Sequence, residues 1–216
     1  MPATHTPGCP TAICCCRYRL PSITNRSLSI TSPKVLLLAN TSWYLVNFRL
    51  PLLRLLREQG YRVALVAPHD AHTRQLEAEG FVVHPWLIQR RSVNPLKEAR
   101  ALVDLLRIYQ REQPDLVHHF TIKACLYGTI AAKLAGVPRV INAITGLGHL
   151  FLGSNKRTRL LRHGLRPLYK AVFRARRATV VFQNADDQER LIQLGITRAS
   201  TSLLIRGSGV DVNHFR

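Results

Sequence analysis

The sequence predicts an α/β domain built on a doubly wound, mostly parallel, Rossmann-like sheet. Short apolar runs alternate regularly with segments of helical period from Lys34 to the end of the chain. The runs are apolar at nearly every position, as in strands buried on both faces, rather than alternating as in half-exposed strands. Glycine and Asn-Pro punctuation falls between the segments, where helices should start and stop.

The elements follow in order. Residues 1–32 are rich in Pro, Ser, Thr and Cys, show no period, and read as a disordered leader. Lys34–Ala39 (KVLLLA) is the first strand. Leu45, Phe48, Leu52, Leu55 and Leu56 carry the apolar face of the first helix, which Gly60 closes. Pro51 is expected to kink that helix or to mark its first turn. Arg62–Ala67 is the second strand, Thr73–Glu79 a short helix ended by Gly80, and Phe81–Leu87 the third strand. Asn94 caps a helix with Pro95 in its first position, and Pro114 stops it. Asp115–Phe120 is the fourth strand, Ala124–Leu134 a helix capped by Gly136, and Arg139–Ile144 the fifth strand. A glycine-bearing loop leads to a basic helix over Lys156–Arg177, with a break or kink expected at Gly164 and Pro167. Thr179–Phe182, a helix Ala185–Leu194 capped by Asn184, and a short strand Ser202–Ile205 complete the domain, which spans 33–206.

Composition narrows the functional classes. Thirty-one Lys and Arg against 12 Asp and Glu give a formal charge of +19 in 216 residues, which calls for an anionic partner: nucleic acid, anionic lipid or a phosphorylated substrate. No apolar run approaches the roughly 20 residues of a membrane-spanning helix, and the proline-broken start makes a poor signal peptide. A cytoplasmic protein, peripheral on a membrane, is the expectation. Cys9, Cys14, Cys15 and Cys16 match no zinc spacing, and no nearby histidine completes one, so no metal is expected; thiol lipidation is the sharper alternative to a plain leader. Cys125 reads as a small core residue.

In a doubly wound sheet, ligands bind beyond the carboxyl ends of the strands. After the first strand stand Asn40 and Thr41, leading into a helix N-terminus suited to an anion. The alternative there is ordinary capping by Thr41 or Ser42. Neither GxGxxG nor a P-loop glycine pattern is present, which disfavours a dinucleotide or nucleotide site of those kinds. After the fourth strand come His118, His119, Phe120, Thr121 and Lys123. Alternation puts the two histidines on opposite faces, and one of them could act as a general base or hydrogen-bond a substrate. Lys123 could neutralise a phosphate. After the fifth strand, Thr145, Gly146 and Gly148 could admit a ligand close to the backbone, or simply make a turn. On the basic helix, Arg159, Arg162, Arg166, Lys170 and Arg174 form a stripe beside Leu161, Leu165, Leu168 and Val172, a pattern suited to an anionic membrane surface.

Several stretches together carry a family resemblance. Asn47-Phe48-Arg49-Leu50-Pro51-Leu52, Gly60-Tyr61-Arg62-Val63 and Ala67-Pro68 resemble the opening of family 4 retaining glycosyltransferases. His118-His119-Phe120-Thr121-Ile122-Lys123, Tyr127-Gly128-Thr129, Ala132–Val137 and Ile141–Gly148 resemble the branch that adds N-acetylgalactosamine or related sugars to undecaprenyl-diphosphate-linked acceptors. Phe182-Gln183-Asn184 and Gly207–Asp211 are similar to the family's link into a second domain.

The resemblance implies a GT-B enzyme without a metal or other cofactor, whose N-terminal domain lies on the inner face of the plasma membrane and binds a polyprenyl-diphosphate-linked sugar. A UDP-sugar donor would bind a C-terminal domain, of which 207–216 would be only the approach. That domain would be absent here or supplied as a separate partner, and the chain alone should be inactive. Acceptor contacts fall to Asn40, Thr41, Asn47, Arg49, Thr121, Lys123, Thr145, Gly146 and Gly148. His118 matches the first histidine of the family's His-x-His and is the catalytic candidate, while Phe120 occupies the second position. The competing functions are a basic nucleic-acid-binding protein, opposed by the absence of any such motif, and a non-catalytic subunit that binds lipid-linked sugar.

Overall fold

The computed structural model describes residues 32–89, 94–146 and 156–208, with backbone alone for 156–163. The expected leader, Gly148, the side chains of Arg159 and Arg162, and the linker beyond Ser208 lie outside the described residues.

Seven strands form one parallel sheet in the order β3-β2-β1-β4-β5-β6-β7. They are β1 (Lys34–Leu38), β2 (Arg62–Ala67), β3 (Val82–Pro85), β4 (Leu116–Phe120), β5 (Val140–Ile144), β6 (Ala178–Phe182) and β7 (Ser202–Leu204). The helices are α1 (Ser42–Glu58), α2 (Thr73–Ala78), α3 (Pro95–Glu112), α4 (Ile122–Ala135), α5 (Lys156–Phe173) and α6 (Ala185–Gln193). Strand order reverses between β1 and β4, so a crevice opens at their carboxyl ends. Leu37 is in register with His118 and Leu38 with His119.

Each face of the sheet has its own core. Leu37, Leu45, Leu53, Leu65, Leu76 and Phe120 pack together under α1 and α2. Leu36, Leu38, Val66, Leu105, Tyr109 and Val117 pack on the other face under α3 and α4. Ile144, Val180, Phe182, Tyr169, Val172 and Phe173 extend that second layer beneath α5.

Three local expectations change. Pro51 does not mark the first turn of α1; it lies inside the helix on its exposed side. Leu45 and Leu53, buried on either side of it, hold the helix on the sheet across the lost backbone bond. Gly164 and Pro167 likewise fail to end α5, which runs on to Phe173 because Tyr169, Val172 and Phe173 are buried beyond them. The third strand is shorter than expected, since the chain leaves the sheet after Pro85 to bury Trp86, whose indole N–H donates to the Ala101 carbonyl at 2.9 Å. The remaining boundaries agree within one or two residues, α4 beginning at Ile122 and taking in Lys123, except that the basic helix ends at Phe173 rather than Arg177.

The amino-terminal edge of the sheet is tied by charge. The Lys34 ammonium lies 3.0 Å from the Glu112 carboxylate and donates to the Glu112 carbonyl at 2.9 Å. The Lys34 backbone N–H donates to Asp115 at 2.8 Å, and His84 stands 3.2 Å from Glu112.

Candidate acceptor site at the carboxyl edge

The site is built outward from β4. Alternation turns His119 to the α3–α4 face and His118, with Phe120, to the α1 face. His119 is wholly buried. Its Nδ1 lies 2.8 Å from Asn142 Oδ1, an acceptor, so Nδ1 carries the proton. Nε2 then accepts from the Tyr109 hydroxyl at 2.9 Å. The Asn142 amide donates in turn to Thr129 Oγ1 at 2.9 Å. Gly128 makes room for the ring, since a Cβ there would fall 2.6 Å from His119 Nε2. Burial drives the His119 pKa down to about 4, so the ring is neutral at neutral pH. His119 is a structural pin that fixes the end of β4.

His118 lies on the other face with its ring centroid 4.2 Å from that of Phe120. Burial, aided by the Arg49 charge and by His119, lowers its pKa to about 3. A ring so reluctant to take a proton is a neutral hydrogen-bonding group rather than a base at neutral pH. His118 Nε2 is buried and has no hydrogen-bond partner among the described residues. Thr121 Oγ1 is in the same condition. Thr121 precedes the N-terminus of α4 with φ 72° and ψ 149°, a region nearly reserved for glycine, and its hydroxyl does not cap the helix. Two unsatisfied buried polar atoms and a strained backbone therefore meet within four residues of a helix N-terminus.

The charge at this site is Arg49, on α1. Its guanidinium carbon sits 4.5 Å from the centre of the Phe120 ring. Nε and Nη2 donate to the Tyr44 hydroxyl at 3.2 and 2.7 Å. Nη2 also reaches Ser208 Oγ at 3.5 Å, and Gln183 Nε2 donates to the same oxygen at 2.9 Å. Burial raises the Tyr44 pKa, opposed by Arg49, so the hydroxyl stays protonated. Phe120 is thus the platform on which His118 and Arg49 both rest.

The other sequence candidates are placed differently. Lys123 turns to the opposite side of the sheet, where its ammonium lies 2.9 Å from Glu98 and donates to the Gln89 carbonyl at 2.8 Å. Thr41 caps α1 by accepting from the Tyr44 N–H at 3.2 Å, and Asp70 takes the Ser42 N–H at 2.9 Å. A carboxylate therefore already occupies the start of α1. Asn40, Thr145 and Gly146 are partly exposed at the strand ends. Asn47 is exposed and donates to the Trp43 carbonyl at 2.8 Å. On α5, Arg166 donates to the Leu194 carbonyl, and the Arg174 guanidinium lies near Gly195. These two arginines serve the C-terminal end of α6, while Lys170 is exposed. Tyr44, Gln183 and Ser208 were not among the candidates. Gln183 directly follows β6, so the strand-end rule applied to that strand would have found it.

A parallel sheet reversing at β1/β4, with a basic, polar cleft at that reversal, defines a Rossmann-like domain of the doubly wound kind. The chain belongs to the glycosyl transferase 4-like family, whose model matches residues 34–184. It is 24% identical over 169 residues to the N,N'-diacetylbacillosaminyl-diphospho-undecaprenol alpha-1,3-N-acetylgalactosaminyltransferase of Campylobacter jejuni, covering 78% of this chain and 44% of that protein. It is 28% identical over 129 residues to the UDP-Gal:alpha-D-GlcNAc-diphosphoundecaprenol alpha-1,3-galactosyltransferase of Escherichia coli, covering 58% of this chain and 31% of that one. The chain therefore spans less than half the length of either relative. The solved structure of Anabaena HepE with UDP-glucose shares the fold at a TM-score of 0.57 and 21% identity, over 83% of this chain and 45% of that one.

Proposed function

We propose that this chain is the acceptor-binding half of a retaining, nucleotide-sugar-dependent glycosyltransferase that elongates a polyprenyl-diphosphate-linked sugar at the inner face of the plasma membrane. One observation carries the reading: His118 Nε2 and Thr121 Oγ1 are buried without partners beside an arginine resting on Phe120. A buried polar atom without a partner is costly, and a diphosphate or sugar hydroxyl would satisfy both. The relatives' diphospho-undecaprenol substrates support an anionic, lipid-linked acceptor. In this assignment Arg49 binds the phosphate, Thr121 and the first N–H groups of α4 complete its shell, and neutral His118 hydrogen-bonds the acceptor near the reacting hydroxyl. Thr145 and Gly146 line the far side. The UDP-sugar is assigned to a second domain that closes over this cleft and excludes water; without it the chain binds acceptor and transfers nothing.

Arg49→Ala tests the assignment. A charge-assisted hydrogen bond is worth about 1.5–3 kcal/mol, so affinity for a short-chain polyprenyl diphosphate sugar should fall by about 10- to 100-fold in calorimetry. Native affinity in the variant would remove the phosphate role from Arg49 and the basis of the reading.

A further inference from the structure

The outward face of α1 is unusual for a helix that covers a core. Trp43 is 47% exposed, Phe48 38% and Leu55 51%, with Pro51 exposed between them. Positions 43, 47, 51 and 55 recur every four residues, so Trp43, Pro51 and Leu55 lie along one side, with Phe48 adjoining. From Ser42 to Arg57 the helix holds no acid and three arginines, of which Arg54 pairs with Glu79 and Arg57 donates to the Glu79 carbonyl, leaving Arg49 as the one turned to the acceptor cleft. Single exposed apolar residues need no explanation, but a contiguous stripe does.

This stripe is continuous with the acceptor site. Rings run from Phe120 to Tyr44 (centroids 5.6 Å apart), from Tyr44 to Phe48 (5.3 Å) and from Phe48 to Trp43 (5.4 Å). Arg49, which rests on the first of these rings, belongs to the same helix turn as Phe48. A diphosphate on a polyprenyl chain sits at headgroup level, so the surface bordering its binding site must meet the bilayer. Tryptophan and phenylalanine beside arginine are the side chains that settle at such an interface.

We propose that the aromatic edge of α1, led by Trp43 and Phe48, is the surface through which this chain rests on an anionic bilayer. The proposal depends on the acceptor assignment above for its geometry. α3 offers a rival face on the opposite side of the sheet, where Leu96 and Val103 are exposed beside Arg100 and Arg107. The bordering anion site favours α1.

The chain supplies its own probe. It has two tryptophans, and the second, Trp86, is 2% exposed and hydrogen-bonded inside the other core. Vesicles of phosphatidylglycerol and acyl-brominated phosphatidylcholine, added to the full chain, should shift Trp43 emission to the blue and quench most of it. In Trp43→Phe, the remaining Trp86 emission should not change. Trp43→Ser with Phe48→Ser should lower vesicle partitioning by about a hundredfold, the factor for leaving roughly 100 Å² of apolar surface in water. Vesicle binding with Trp43 unquenched would overturn the proposal and move the contact to α3 or α5. Absence of vesicle binding, or self-association that shields Trp43 from lipid, would overturn it as well. Arg49→Ala separates the two readings, since it should lose diphosphate affinity while keeping lipid quenching. Quenching combined with undiminished diphosphate affinity in that variant would leave the lipid face standing and sink the acceptor site.

Discussion

Thr121→Gly should make the protein more stable and a poorer ligand. Thr121 holds φ 72° and ψ 149°, a conformation that costs a non-glycine residue about 1–3 kcal/mol. Its hydroxyl is buried without a partner, which adds about 1–2 kcal/mol. Glycine relieves both terms. Against this stand about 0.5–1 kcal/mol of added backbone entropy in the unfolded chain and about 0.5–1 kcal/mol of lost methyl burial. The balance is a gain of about 1–3 kcal/mol, and each kcal/mol corresponds to about 2–4 °C in a chain of this size. Urea titration and thermal melting read the gain directly. Thr121→Ala provides the internal comparison: it loses the hydroxyl but keeps the strain, so it should fall between the native chain and the glycine variant. Calorimetry with the polyprenyl diphosphate sugar should show weaker binding by about tenfold in both variants, for loss of one hydrogen bond. A Thr121→Gly variant less stable than the native chain would refute the claim that strain is stored at this position.

Two further predictions concern the pin beneath the site. Gly128→Ala drives a methyl against the His119 ring, which two hydrogen bonds hold in place, and should lower stability by about 1–3 kcal/mol in urea titration. Native stability in that variant would show the ring free to move. Unfolded, His118 and His119 take up protons near pH 6.5, but folded they resist until about 3 and about 4. The unfolded chain thus binds more protons across that window, so stability is full above 6.5 and lost as pH falls toward 4. From about pH 7 to about pH 5 the loss should be about 3 kcal/mol, most securely from the fully buried His119, and a urea midpoint unchanged over that range would contradict it.

The strands were legible because continuous apolar runs between glycines leave few other structures open, and Asn94 and Asn184 announce their helices through side-chain caps. Pro51 does not mark a first turn and Pro167 does not break its helix, because burial of Leu53 and Phe173 holds each helix on the sheet, which composition alone does not locate. Sequence alternation correctly parted His118 from His119. It could not say that Lys123, two residues into the same turn, faces Glu98 across the sheet from Arg49. Nor could it foresee that Thr121 is strained, or that Ser208 and Gln183 close on an arginine far away in sequence. Such features depend on contacts between distant segments, and only the folded chain brings those segments together.

The Lys34–Glu112 ion pair and the hydrogen bond from the Lys34 backbone N–H to Asp115 lie at the end of the sheet opposite His118 and Arg49. At one rim Lys34 has its polar contacts within the chain, while at the other His118 Nε2 and Thr121 Oγ1 have no hydrogen-bond partner among the described residues. Change at the two rims should therefore be read on different instruments. Substitution near Lys34 alters whether the molecule folds, and substitution near Phe120 alters what it recognises. If the proposed acceptor site is correct, a lineage could explore new acceptors along the second rim while the first keeps the scaffold intact.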